Sequence, residues 1–349
     1  MDLFDFLDDE FDDFLGNISR LKKHREIRPR INHLVEYDDE QFRSRFRLSK
    51  LAFNYVLSLI EDDIKPTTNW NSAISPENRL LLTLNYYATG CFLGAIGDMS
   101  GVSKASVSRI VLNVSVAIAK LRPKFVKFPS NLQSLTHGFY NIAKFPRVIG
   151  IIGCTHVNIK SPGGEYAECY KDRHGNFSMN IQMIVDHDFK IMDIVARWPG
   201  SSKKQTIFNN SRIKHRLENK EFPNNMIIGD RGYKNTKYLL TPLHNPCNPA
   251  EIIYNESLQK TRNVVERTYG AWKNRFPVLS KKIILHPSRV QAIIVACAVL
   301  HNIAIMSGDE HFQDDSEQNH HVNDTHREID NNLENGTRNN IIEYYESLL

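Results

Sequence analysis

The sequence predicts an α/β domain preceded by an all-α, helix-turn-helix-like region. Three observations predict it. After Pro129, strand-like apolar runs (Val148–Ile152, Met179–Val185, Ile191–Val195, Met226–Ile228) alternate with helical stretches. Over residues 37–128, apolar side chains recur only at helical spacing. A length of 349 residues, 41% hydrophobic and 24% charged, is ordinary globular composition and long enough for two domains.

Residues 1–36 read as a flexible arm, first acidic and then basic. "MDLFDFLDDEFDDFL" alternates acids with Leu3, Phe4, Phe6, Leu7, Phe11, Phe14 and Leu15. That composition builds no core of its own and suits a tail, or a short helix that docks on a partner or on a basic face. Arg20, Lys22, Lys23, Arg25, Arg28 and Arg30 follow; they suit a phosphate contact, a nuclear-import signal or a solvated linker equally. An acidic start matches neither a signal peptide nor a mitochondrial presequence.

The region 37–128 should be helical. Phe42, Phe46, Phe53, Val56, Leu57 and Ile60 keep helical spacing, with Ser49 a cap between two helices. Ser75 caps and Pro76 starts the next helix, and Gly90 ends it. A short helix over about 92–99 turns at Gly101 into a third that begins near Ser103. Val102, Val107, Ile110, Val114 and Ile118 form its inner face. Lys104, Ser106, Ser108, Arg109 and Asn113 are left more exposed, where a DNA-reading helix carries small polar and basic groups. Plain three-helix packing gives the same apolar pattern.

The region 129–306 should be the α/β domain. In "RVIGIIGCTHVNIK" (147–160), Val148 to Ile152 form a buried strand that Gly153, Cys154, Thr155 and His156 interrupt. "DHDFK" reads as a hairpin turn between the second and third strands. Val290 to Met306 is the most apolar segment; it is short for a membrane span and carries Gln291, His301 and Asn302, so a buried helix and no membrane partner are expected. Residues 307–349, rich in Asn, Asp, Glu and His, read as an acidic disordered tail.

Charge and cysteines narrow the classes. Residues 1–13 hold seven acids and no Lys or Arg, and residues 307–349 hold eleven acids against two Arg. With a net charge of +4 overall, residues 14–306 therefore carry +20. A basic body between acidic ends suits a polyanion ligand, or simply a soluble basic protein with solvated tails. Five scattered cysteines without a CxxC pair favour free thiols in a reducing compartment over disulfides or zinc.

Two carboxylates stand out. Asp230 ends the apolar run of "NMIIGDRGYKN" (225–235), where a turn aspartate is the plain alternative. "TRNVVERTYGAWKNRFPVL" (261–279) is a helix with Val265, Tyr269, Trp272 and Phe276 as its buried stripe. Glu266 lies beside that stripe among Arg262, Arg267, Lys273 and Arg275. It suits a metal ligand next to a phosphate track, or an Arg262–Glu266 ion pair. Asp230 and Glu266 stand 36 positions apart.

That spacing resembles the last two acids of the DDE set in RNase H-like transposases. "RVIGIIGCTHVNIK", "CYKDRHGNFSMNIQMIVD", "WPGSSKKQTIFNNS", "GDRGY", "LLTPL", "NVVERTYGAWKNRF" and "AVLHN" follow the order and spacing of the PIF/Harbinger transposases and their domesticated nuclease-like relatives. "FRSRFRLSK" and the helix-turn-helix match too, so the resemblance covers roughly residues 37–306.

The resemblance implies an RNase H-like DDE nuclease domain. Its chemistry would be metal-dependent phosphodiester cleavage by clustered carboxylates holding two Mg or Mn ions. Asp230 and Glu266 match two of the family's acids as catalytic and metal-binding residues. At two further acid positions this chain has Gly153 and Lys204. Gly153 offers no side-chain oxygen. A lysine ~4 Å from a unit charge of the same sign, at an effective dielectric of ~20, costs roughly 4 kcal/mol, and about twice that for a divalent ion. Impaired catalysis is therefore expected, with a non-catalytic DNA-binding or scaffold protein of transposon origin as the alternative. Asp186, Asp188 and Asp193 are the acids that could compensate. Lys104, Arg109, Arg262, Lys273 and Arg275 are the expected DNA contacts. The resemblance also implies DNA as partner, a separate Myb/SANT-like DNA-binding protein, and a nuclear location with the cytoplasm as alternative.

Overall fold

Helix starts and stops in the N-terminal half are set by local chemistry. In the computed structural model, which describes residues 33–66, 73–309 and 336–349, a short helix α1 (His33–Glu36) precedes α2 (Asp39–Phe46). Asp38 caps α2, accepting from Gln41 N while the Gln41 side chain accepts from Asp38 N, a reciprocal capping box. Ser49 caps α3 (Lys50–Ile64), and Ser75 with Pro76 opens α4 (Pro76–Thr89). Gly90 ends α4 in the left-handed region at φ 59°.

Next, α5 (Leu93–Ser100) and α6 (Lys104–Lys120) meet at 105° across Gly101, within the range of a helix-turn-helix. Ser103 caps α6. Val102, Val107, Ile110, Val114 and Ile118 are buried, while Lys104, Arg109 and Asn113 are exposed. A one-turn α7 (Arg122–Phe125) and α8 (Leu132–Ala143) lead into the sheet.

The sheet has five strands: β1 (Val148–Asn158), β2 (Ser178–Val185), β3 (Ile191–Pro199), β4 (Met226–Ile228) and β5 (Leu239–Leu240), in the spatial order β3-β2-β1-β4-β5. The first three are antiparallel neighbours; β4 and β5 add in parallel on the other side of β1. Helices α9 (Lys204–Asn209) and α10 (Arg212–Glu218) connect β3 to β4. The 27-residue α11 (Pro249–Arg275) crosses β1 and β2, and α12 (Pro287–Met306) packs on β3 and α6. This is the RNase H-like architecture that the motif order implies.

Three expectations change. β1 is not interrupted at Gly153: it continues to Asn158, because Gly153 to Asn158 pair in register with Met183 back to Ser178. The helix expected from 261 begins at Pro249, capped by Asn248. The C-terminal segment is not all disordered: α13 (Gly336–Glu346) is a helix that packs on α11 and buries Arg338, Ile341 and Tyr345. Arg338 Nη2 donates to Thr241 Oγ1 at 3.1 Å and Tyr345 Oη to Ser257 Oγ at 2.6 Å.

The acidic-aromatic segment and basic arm of residues 1–32 lie outside the described residues, as does 310–335. All described residues fall in one unit, 32–349. One hydrophobic core runs from Phe42 through the sheet to Tyr345, so no packing gap marks the boundary near residue 129. Helix α12 is long and apolar enough to cross a membrane, but Val290, Ile294, Cys297 and Leu300 are buried inside this core, as expected.

Candidate active site

The sheet brings the four positions to one end of the fold. Asp230 follows β4 by two residues, and β4 runs beside β1 with Ile228 opposite Ile151, so Asp230 emerges next to Gly153. Side chains alternate along β1, which puts position 153 on the α11 face with Met183. An ideal Cβ built on Gly153 would lie 2.5 Å from Tyr269 Oη and 3.3 Å from Val265 Cγ2, both on α11. Glu266 is one residue on from Val265 and faces outward: its side chain is 62% exposed, against 15% for Asp230.

Lys204 opens α9 and reaches across Gly232 to Asp230. Lys204 Nζ donates to Asp230 Oδ2 at 2.5 Å, and Gly232 N donates to Asp230 Oδ1 at 2.9 Å. A Cβ at position 232 would lie 2.9 Å from Lys204 Cδ and 3.1 Å from Asp230 Oδ1, so glycine there leaves room for the path that the lysine takes. Gln205 Oε1 accepts from Lys234 N at 2.7 Å and ties α9 to the same turn.

Arg262, 13% exposed, places Nη2 3.6 Å from Asp230 Oδ2 and 3.3 Å from Glu266 Oε1. The i,i+4 pair with Glu266 was legible in the sequence; the second contact, to Asp230, was not. Burial alone would raise the Asp230 pKa. Lys204 and Arg262, with the hydrogen bonds from Lys204 and Gly232, outweigh it and hold the carboxyl below its ordinary value. The carboxylate is therefore charged and already neutralised by protein cations.

The remaining side chains here are uncharged. Cys154 Sγ meets Tyr233 Oη at 3.3 Å, and burial pushes its thiol up to about 12. His156 Nδ1 meets Ser178 Oγ at 2.9 Å, and burial lowers its pKa, so the ring is neutral. Tyr269 Oη is buried with no hydrogen-bond partner among the described residues.

Two expected DNA contacts are corrected. Arg275 is fully buried and Nη1 donates to Arg47 O at 3.3 Å, so it faces the core and not a ligand. Lys273 Nζ donates to His156 O at 2.9 Å, and burial pulls its ammonium down to about 8 although Glu266 acts in the opposite direction. Its charge is turned onto β1.

The three aspartates that could compensate are used elsewhere. Asp186 Oδ1 accepts from the backbone N of Asp188 and of Lys190, Asp188 meets His187 at 2.9 Å, and Asp193 lies 3.5 Å from Arg122. Among the described residues, no three His, Cys, Asp or Glu side chains converge as a metal site. A pair of divalent ions needs clustered carboxylates. Here one carboxylate is covered by two cations, another points outward, and the position beside them is glycine. The residues do not fit a two-ion centre.

A sheet of this order with an Asp after β4 and a Glu on the crossing helix defines the class, and comparison with known proteins agrees. Residues 152–302 match the family described as "DDE superfamily endonuclease", a superfamily that uses divalent metals. The chain is 34% identical over 281 residues to human "Putative nuclease HARBI1", covering 79% of this chain and 80% of that protein. The Xenopus laevis protein of the same name is 30% identical over 78% of this chain and 80% of its own length. The Arabidopsis "Protein ALP1-like" is 27% identical over 82% of this chain and 76% of its own length. No solved structure matches the chain. The chain belongs to the Harbinger transposase-derived nuclease family.

Proposed function

We propose that this protein binds duplex DNA through a nuclease fold whose metal-dependent phosphodiester cleavage is lost or severely impaired. The observation that carries this reading is the Lys204–Asp230 ion pair at 2.5 Å. An ammonium there offsets the carboxylate's charge, as a metal would, but it cannot lower the pKa of a bound water or supply an open coordination position. A phosphate oxygen approaching this end of the sheet meets Lys204 and Arg262 as binding groups. Lys104 and Arg109, exposed on α6, are the second contact region. The +20 charge over residues 14–306 supplies the sequence-independent attraction. A nuclear location and a Myb/SANT-like partner belong to the same reading and rest on family resemblance.

The test is a pair of measurements on the full chain. Duplex binding should weaken steeply as salt rises, since each neutralised phosphate releases counterion. Supercoiled plasmid should stay intact in Mg or Mn. Binding that ignores salt removes the DNA proposal. Cleavage that needs both metal and Glu266 establishes the other reading, an active nuclease with a rearranged centre.

A further inference from the structure

Lys204 explains how Asp230 is occupied, but it does not explain what fills the place of a carboxylate at position 153. An ideal Cβ on Gly153 would lie 2.5 Å from Tyr269 Oη and 3.4 Å from Tyr269 Cζ. The hydroxyl is the one contact below 3.0 Å; Val265 Cγ2, at 3.3 Å, is tight and would have to give by a few tenths of an ångström. Neither side can give way cheaply. On one side Gly153 is held in register opposite Met183 on β2, while β4 pairs with β1 just before it. On the other, Tyr269 belongs to the buried stripe with Val265, Trp272 and Phe276, so swinging the ring out would empty core volume.

We infer that Tyr269 is a specificity-determining residue whose hydroxyl fills the carboxylate's place at position 153, so that Gly153, Lys204 and Tyr269 together exclude a divalent cation. This deepens the reading of an impaired nuclease and rests on it for its functional meaning. The steric statement stands apart from it. One consequence is specific: restoring acids at 153 and 204 alone does not rebuild a metal site, because an aspartate at 153 and a hydroxyl at 269 exclude each other. Removing one oxygen atom from Tyr269 relieves the closest contact and leaves only the tighter-than-usual approach to Val265 Cγ2 at 3.3 Å.

Two measurements on the full chain test this. The first is a double-mutant cycle read by thermal unfolding. Gly153→Ala should lower the melting temperature by about 3–6 °C, as expected of overpacking a rigid core. In a Tyr269→Phe background the same substitution should lose more than half of that effect. An equal drop in both backgrounds overturns the inference. The second compares Gly153→Asp/Lys204→Asp with the same protein carrying Tyr269→Phe as well, using Mn(II) alone as probe and the loss of its free-ion electron paramagnetic resonance signal as readout. The triple variant should bind about tenfold more tightly or better, the scale on which neighbours of metal ligands act. No gain from Tyr269→Phe overturns metal exclusion by the hydroxyl. If the aspartate variants do not fold, the alanine cycle decides. Plasmid cleavage by the unaltered chain would end the proposed loss of catalysis without touching the cycle, so the two failures are distinguishable.

Discussion

Helix α6 and helix α11 each carry Lys and Arg beside an apolar stripe, and from spacing alone both offer a basic face to DNA. Their surroundings differ. The N-terminal half of α6 keeps one face in water: Lys104 and Arg109 are exposed while Val107 and Ile110 are buried. α11 runs through the middle of the fold, with β1 and β2, α8, α12 and α13 against it. Its C-terminal cations are consequently internal: Lys273 is bonded to a strand carbonyl and Arg275 to Arg47 O. A stripe identifies one buried face of a helix; on which sides its neighbours lie decides whether the other faces are solvated.

The sharpest way to break this contrast is Arg275→Ala. Removing a buried cation whose surroundings include Asp309 should cost about 3–5 kcal/mol in urea unfolding and leave the DNA affinity of the folded protein unchanged. A stable variant with weakened DNA binding would reverse the assignment of the two helices. The complementary change is Lys104→Ala with Arg109→Ala. It should reduce DNA affinity and make the salt dependence shallower by roughly 2 on a log–log plot, while stability stays within about 0.5 kcal/mol.

Lys273→Met isolates the half of α11 that titrates. The folded pKa is about 8, below the ordinary value of 10.5, so between them the unfolded chain holds more protons. Stability from this group therefore rises with pH across that window, and below pH 8 the full penalty of burying the charge remains. The methionine variant should compare best with the parent at and below about pH 7.5. Its relative stability should fall by roughly 1–2 kcal/mol by pH 10 in paired denaturation curves. The smallest effect is expected from Glu266→Gln, which breaks an exposed pair with Arg262 and should shift stability by less than about 0.5 kcal/mol. A larger loss would mean that Glu266 is more deeply engaged than its exposure indicates.

Much of the fold was legible because its signals are local. Ser49, Ser75 and Ser103 cap where their positions demand, Gly90 takes the left-handed region, and the stripe Val265–Tyr269–Trp272–Phe276 is buried. The continuation of β1 past Gly153 was not legible, because it depends on pairing with residues 178–183 and no residue in β1 announces that partner. In the site, the positions of Asp230, Glu266, Gly153 and Lys204 followed from motif order. What lies between them did not. Tyr269 reads as one more core aromatic until β1 is placed against it, and Arg262 as an i,i+4 partner until Asp230 arrives from β4. Arg275 misled because a charged residue after an aromatic stripe looks solvated, and only the approach of α2 and its C-terminal Arg47 closes over it.

The docking of α13 changes the topology of the acidic C-terminal stretch. Asp309 accepts from Ser49 N at 2.9 Å, and Arg338 and Tyr345 are held at the far side, so residues 310–335 are bounded by two anchors and are not a free end. Cutting the chain after Gly308 is therefore not the trimming of a tail. It strips Ile341 and Tyr345 from the core, removes a partner of Thr241 and Ser257, and uncovers the flank of α11, the helix that carries Glu266 and Tyr269. The end of an acidic, Asn-rich stretch is thus a brace for the helix of the candidate site.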